Sequence, residues 1–280
     1  MISTRNRKAV EFSVASVDVV CDLHGNPCNP DLTLFFNGNQ WMVVEELLTA
    51  FRRLYPEIQH IFYETLPPGL LAEQIKQGAL RMEELMIDTP PDVYTAGREE
   101  MEAMLREGFI QSYKPYARNG LAILVPAADP ADVRGLKDLG RPGVRVSMPN
   151  PSREGVGRLI VRALEKAGGP ELVKQVMEEK VASGETYLTS IHHRETINLL
   201  RDGLVDAGPV WLSEALYQQK HGKTFDYVTI PAEHDVIGRY FIAHVDKTSR
   251  HPDAARKFID FMTSESGRKI YAGYGFLSGM

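Results

Sequence analysis

Short apolar runs and amphipathic segments alternate along most of the chain. Runs at 32–36, 60–63 and 92–95 predict buried strands, and each run is followed by a segment with apolar residues at helical spacing. The first of these helical segments carries Val44, Leu47, Leu48, Phe51 and Leu54. Regular alternation of strands and helices is typical of parallel sheets that carry helices on their faces.

The same alternation returns in the second half of the chain, between two long extended segments. Strands are predicted at 144–148, 186–191, 205–211 and 227–231, and helices at 154–167, 171–179 and from about 213. The extended segments at 116–126 and 239–244 are placed to cross between two units. We therefore predict an α/β protein with two lobes, each a mainly parallel sheet flanked by helices, hinged by two crossing segments. A single doubly wound domain fits the periodicity nearly as well.

The predicted lobes are discontinuous along the chain. Residues 1–30 are expected to form an N-terminal arm, residues 31–117 with 240–280 to form lobe 1, and residues 118–239 to form lobe 2. A chain of 280 residues is long enough to bury a core in each lobe.

The composition is typical of a globular protein. Apolar residues make up 43% of the chain and charged residues 25%, and the formal net charge of −5 gives no support for nucleic-acid binding. No apolar run is long enough to span a membrane. The basic start of the chain is not followed by the apolar segment of a secretory signal. We therefore expect either an exported protein whose signal has been removed or a cytoplasmic protein.

The two cysteines lie on either side of a turn-forming Gly-Asn-Pro segment. In an oxidising compartment we expect a disulfide between Cys21 and Cys28. The alternative is a metal site that includes His24, although the spacing matches no standard zinc motif. For the disulfide, mass spectrometry of non-reduced protein should show the loss of both thiol hydrogens. Two alkylated thiols in exported protein would contradict it.

Polar loops follow the predicted strands at the points where helices begin. Asn39 and Gln40 follow the first strand, and Ala96, Gly97 and Arg98 follow the third. Backbone N–H groups at helix starts and in the loops before them bind small anions. The simpler alternatives are that Asn39 only caps a helix and that Arg98 is solvated.

A second group of candidates lies in the predicted lobe 2. Ser152 either caps the helix that follows or contacts a ligand, and Arg153 offers a bidentate contact to a carboxylate or phosphate. Trp211 ends a strand, where it either lines a ligand or belongs to the core.

The densest polar cluster runs from His192 to Thr196. His193 and Arg194 are candidate contacts for an anionic ligand, with Thr196 beside them, although Glu195 and Thr196 equally well begin a helix. We assign the histidines to a strand, where adjacent side chains point to opposite faces. His192 and His193 are therefore not expected to share a metal ion.

Sequence signatures of catalysis are not found. The chain has no Gly-x-Ser-x-Gly, no Walker loop and no Gly-x-Gly-x-x-Gly, and no pair of carboxylates has a spacing that suggests acid–base work. Glu64 follows a strand and is a further possible ligand. We expect no enzymatic activity, no metal and no cofactor.

The order of these motifs resembles that of type II solute-binding proteins, above all the molybdate-binding receptors of ABC transporters. The resemblance covers about residues 31–276, and its motifs lie at 32–39, 91–97, 116–126, 201–211 and 254–276. In molybdate receptors two loop serines and a tyrosine bind the ligand. By position they correspond to Asn39, Ala96 and Trp211, so none of the three hydroxyl groups is retained here.

The resemblance implies a receptor that captures a small anion in a cleft between its lobes. The expected ligand is an oxyanion such as molybdate, tungstate or sulfate, or a small organic carboxylate or phosphate. The expected partner is an ABC transporter permease, and the expected form is a periplasmic or extracellular monomer. A cytoplasmic small-molecule sensor of the same fold is one alternative. An α/β transferase that uses the His192–His193 pair is the other.

Overall fold

The computed structural model describes residues 9–11, 22–82, 85–190, 192–222 and 224–277. The chain divides into two compact units. Unit 1 contains the chain up to Tyr116 together with Tyr240–Ile270, and unit 2 contains Ala117–Arg239 and the chain from Tyr271 onward. Of the two cysteines, Cys28 is exposed and Cys21 lies outside the described residues, so the disulfide stays a prediction.

The C-terminal segment was expected in lobe 1, but from Tyr271 it belongs to unit 2. The backbone N–H of Leu277 donates to the Arg118 carbonyl at 2.9 Å. Tyr271 is buried, and its ring meets that of Phe276 edge to face at 4.9 Å. These contacts lie within unit 2 and explain why the segment groups with it.

Unit 1 is built on a six-stranded mixed sheet, in which parallel pairs are flanked by antiparallel ones. In spatial order its strands are Leu23–His24, Ile61–Glu64, Leu32–Phe35, Val93–Ala96, Gly238–His244 and Lys114–Asn119. Leu32–Phe35 lies between Ile61–Glu64 and Val93–Ala96 and is parallel to both. The last two strands are those through which the chain passes between the units. A small sheet that the sequence did not predict joins Val10–Glu11, Leu80–Met82 and Leu85–Ile87.

The helices of unit 1 are amphipathic and bury their apolar faces in its core. They are Trp41–Leu54, Pro68–Gln77, Arg98–Arg106, Pro252–Thr263 and most of Glu265–Gly273. Phe51 and Phe258 are both buried, and their rings meet edge to face at 5.0 Å. The helix predicted after residue 251 thus packs in the core of unit 1, against residues from the first part of the chain.

Unit 2 has mixed pairing rather than a mainly parallel sheet. Leu121–Pro126 lies between Gly208–Trp211 and Phe225–Thr229 and is antiparallel to both. Those two strands are thus parallel to each other, and the helix Leu212–His221 connects them. Leu121–Pro126 runs in the opposite direction because it follows the crossing strand Lys114–Asn119 directly, without a helical crossover. The strands Val146–Met148 and Thr186–Leu188 form a parallel pair.

The long helical region of unit 2 is interrupted where the sequence predicted an end. It runs over Gly155–Lys174, and Gly169 has a φ of 71° immediately before Pro170. The remaining helical segments of this unit are Leu136–Gly140, Gln175–Glu179, Lys180–Ala182, Glu195–Arg201 and Leu212–His221. In the described part of the chain, no helix is both long and apolar enough to cross a membrane.

Candidate functional site

In unit 1 the loop after Leu32–Phe35 is buried and polar. Asn39 Nδ2 donates to Tyr240 Oη at 2.7 Å, and Gln40 Nε2 donates to Tyr116 Oη at 2.5 Å. No side-chain cap by Asn39 is found at the helix Trp41–Leu54, so the simple capping alternative is wrong. The sequence analysis missed the role of both tyrosines. Their position on the predicted crossing segments was the available signal.

A second pair of hydrogen bonds joins two loops at the same sheet edge. The Asn37 backbone N–H donates to Thr95 Oγ1 at 3.0 Å, and the Thr95 hydroxyl donates to Asn37 Oδ1 at 2.9 Å. Because Leu32–Phe35 and Val93–Ala96 are parallel neighbours, their carboxyl ends meet there. Asn39 and Ala96 thus follow neighbouring strand ends.

The loop after Val93–Ala96 presents mainly backbone. Ala96 is buried, and Gly97 is the N-cap residue of the helix Arg98–Arg106, where it has no side chain to act as a cap. The Arg98 side chain is 55% exposed, lies 3.7 Å from Glu102, and stacks over the Phe241 ring at 4.9 Å. This favours the solvated alternative for Arg98 and leaves the backbone N–H groups as the donors at this helix start.

In unit 2 the loop before Gly155–Lys174 is a turn organised by Asn150. Asn150 Oδ1 accepts from the Ser152 backbone N–H at 3.0 Å and from the Ser152 hydroxyl at 2.7 Å. The N-cap position belongs to Glu154, so the capping role of Ser152 is wrong because its hydroxyl is used inside the turn. Arg153 Nη1 donates to the Ser190 carbonyl and so links this turn to the next loop.

His193 lies between two buried carboxylates. Its Nδ1 is 2.5 Å from Glu154 Oε2, and its Nε2 is 3.0 Å from Glu214 Oε1. Burial alone would lower the pKa of His193, but the charges of Glu214 and Glu154 outweigh it and raise that pKa to about 10. The ring is therefore an imidazolium at neutral pH and donates to both acids. Sequence reasoning missed both partners, although a Glu three residues after Trp211 is a helix-start signal.

His192 and His193 lie in a turn after Thr186–Leu188 and not in a strand. Their ring centroids are 4.2 Å apart, so the expectation that they point to opposite faces is wrong. Glu154 and the two histidines each bring a possible ligand atom into one group within 4.8 Å. A protonated His193, however, has no lone pair to offer a metal ion.

The neighbours of His193 are also buried. Burial, together with the charges of Arg194 and His193, lowers the pKa of His192 well below its usual value. His192 Nδ1 accepts from the Arg194 backbone N–H at 3.1 Å. Glu195 accepts from the His192 backbone N–H at 3.0 Å and from the Ser190 hydroxyl. The backbone N–H and Nε of Arg194 both lie within hydrogen-bond distance of His192 Nδ1, so Arg194 packs against His192 inside unit 2.

Thr196 and Trp211 both pack inside unit 2. The Thr196 hydroxyl is 2.8 Å from the Ser147 hydroxyl, which ties the helix Glu195–Arg201 to the strand Val146–Met148. Trp211 is only 7% exposed and packs so closely on Gly238 that a Cβ there would lie 2.5 Å from its ring. These contacts favour the core alternative for Trp211, and ligand contact by either residue stays a prediction.

Comparison with known proteins gives consistent results. Residues 32–277 match the model of a family described as bacterial extracellular solute-binding protein. The molybdate-binding protein ModA of Mycobacterium bovis is 29% identical over 208 residues, which cover 74% of this chain and 69% of that protein.

Solved structures share the fold. The Azotobacter vinelandii periplasmic molybdate-binding protein aligns with a TM-score of 0.71 and 18% identity, over 89% of this chain and 100% of that one. The sulfate-binding protein SubI of Mycobacterium tuberculosis aligns with a TM-score of 0.72 and 20% identity, over 88% of this chain and 85% of that one. The predicted fold class is confirmed.

Proposed function

The chain belongs to the bacterial extracellular solute-binding protein family, and on this premise we propose that it captures a small oxyanion for an ABC transporter. A relative and two structural neighbours carry names that state molybdate or sulfate binding, which supports an oxyanion ligand. The proposal includes export to the periplasm or cell exterior and delivery of the anion to a permease.

The helix start at Gly97 is the observation that carries this proposal. It lies at the carboxyl end of a parallel strand, where α/β proteins bind small ligands, and its N-cap residue, Gly97, has no side chain with which to cap the first N–H groups. A tetrahedral oxyanion accepts hydrogen bonds through each of its oxygens, so backbone N–H groups suit it. In unit 1 we propose that Asn39, Gln40, Ala96 and Gly97 contribute to the site.

In unit 2 we propose a contribution from the turn that contains Ser152 and Arg153. Arg153 is exposed, and its link to the Ser190 carbonyl leaves further guanidinium N–H groups to donate to an anion. Arg194 supplies positive charge from within the buried cluster. Both ring nitrogens of His193 are hydrogen-bonded to Glu154 and Glu214, so we assign them no direct ligand contact.

An aspartate at position 97 tests the proposed anion contact. Gly97→Asp puts a capping carboxylate on the first-turn N–H groups, which stabilises the helix by roughly a few tenths of a kcal/mol. The same carboxylate competes with and repels the ligand. We expect affinity for the preferred oxyanion to fall by about 100-fold, because a charged hydrogen bond is lost and the new carboxylate repels the anion. Calorimetry with molybdate, tungstate, sulfate and phosphate measures it.

Gly97→Ala is the matched control for that experiment. Its Cβ would meet only the flexible end of the Glu100 side chain, at 2.9 Å, and the backbone N–H groups stay free of a new acceptor. We expect affinity within a few-fold of wild type. Equal binding by the Gly97→Asp and Gly97→Ala proteins would contradict the contact. Binding of organic carboxylates alone would contradict the oxyanion.

A further inference from the structure

The buried ion group around His193 joins three separate segments of unit 2. Glu154 precedes the helix Gly155–Lys174, His193 lies in the loop after Thr186–Leu188, and Glu214 lies in the first turn of Leu212–His221. All three side chains are nearly inaccessible to solvent, with exposures of 4–6%. One ring thus bridges acids that lie on either side of it in the chain.

Each oxygen of the two carboxylates has a donor. Glu154 Oε1 accepts from the Thr189 hydroxyl at 2.7 Å, and its Oε2 accepts from the His193 backbone N–H at 2.8 Å as well as from the ring. Glu214 Oε2 accepts from the Trp211 backbone N–H at 3.4 Å. Only an imidazolium has N–H groups on both sides of its ring, so only the protonated ring donates to both acids.

Two of these segments carry groups that we assign to the ligand site in unit 2, Arg153 in the first and Arg194 in the second, and the third is the helix that follows Trp211. We infer that His193 is a positioning residue whose protonated ring clasps these segments and holds their ligand groups in place. The link to binding rests on the proposed function, whereas the clasp itself does not.

The clasp makes binding sensitive to alkaline pH. The groups that face or adjoin His193 are Glu154, Glu214, His192 and Arg194, and Glu195 holds the same loop through the backbone of His192. The pKa of His193 is raised to about 10, so the bridge is complete at neutral pH and lost as the pH rises through that value. When the ring of His193 loses this proton, it keeps one N–H group and can donate to only one of the two carboxylates.

The test compares ring titration with anion affinity. In wild type, NMR of the histidine ring carbons should show His193 titrating near pH 10, and oxyanion affinity should fall about 10-fold through the same range. Glu214→Gln removes one acid and keeps the His193–Glu154 pair. We expect both midpoints to move together to a pH lower by about 2. His221→Gln, an exposed change on the same helix, should move neither.

A second variant measures the clasp without a ligand. His193→Gln leaves two buried carboxylates without their shared cation and should lower the melting temperature by roughly 6–15 °C, if the protein folds. In Glu214→Gln, a His193 midpoint that moves while the affinity midpoint stays would overturn the positioning role. A wild-type His193 midpoint near 6.5, its ordinary value, would overturn the clasp. Wild type that binds no oxyanion would refute the proposed function, and the NMR titration would still decide the clasp.

Discussion

Raising the pH from about 5 to about 9 should destabilise the folded protein by about 4 kcal/mol through Glu64 alone. Glu64 ends the strand Ile61–Glu64 and is fully buried. Burial, opposed by a hydrogen bond from Gln74 and assisted by the charge of Asp22, raises its pKa from 4.5 to about 8. The folded state therefore retains a proton that the unfolded state releases, and stability is lost as the pH rises between these values.

The contacts of Glu64 also favour its neutral form. Gln74 Nε2 donates to Glu64 Oε1 at 2.9 Å. Among the residues that the structure describes, Glu64 Oε2 and Gln74 Oε1 are buried and have no hydrogen-bond partner. An ionised carboxylate with an unpaired buried oxygen is costly, so a proton on the acid, which removes its charge, is favoured.

Glu64→Gln should remove this pH dependence because the amide is neutral at every pH and similar in shape. Urea unfolding at about pH 5 and about pH 9 measures it, and at the higher pH the variant should exceed wild type by a few kcal/mol. Glu73→Gln, an exposed change on the helix that carries Gln74, is the control and should leave the wild-type pH dependence intact. Parallel pH curves for Glu64→Gln and wild type would contradict a protonated Glu64.

Gly157→Ala should destabilise the protein by about 3 kcal/mol through overpacking. A Cβ at Gly157 would lie 2.4 Å from the Pro149 carbonyl oxygen and 2.8 Å and 2.9 Å from the Pro151 N and Cα atoms. All three are backbone atoms, so the turn can only relieve the clash by moving. Because this turn holds Ser152 and Arg153, oxyanion affinity should fall together with stability.

Gly155→Ala provides the control for Gly157→Ala. It lies two residues earlier in the same first turn, and its Cβ would meet only the Arg158 side chain at an ordinary 3.6 Å. Alanine is the better helix former, so we expect stability equal to or slightly above wild type. Urea unfolding and calorimetry on both variants measure the two effects. A Gly157→Ala protein as stable as the Gly155→Ala protein would show that the turn adapts without cost.

Local patterns in the sequence determined most of the elements of this fold. Apolar runs such as that at 32–36 and helical spacing such as that from Val44 to Leu54 predict their elements because strands and helices bury faces of fixed period. Gly169 and Pro170 interrupt the long helical region because their backbones restrict its continuation. The resemblance to solute-binding proteins followed from the order of such elements and is confirmed by the family match.

Tertiary structure alone decided the chemistry of the polar clusters. His193 is 39 residues from Glu154 and 21 from Glu214, and no local period connects them. The sequence showed a histidine pair beside Arg194 and Glu195, whereas the fold places two distant acids against one ring and makes it a cation. Asn39 and Tyr240 are likewise 201 residues apart. The charge of a buried group depends on neighbours brought together by packing, and packing joins residues without regard to their distance along the chain.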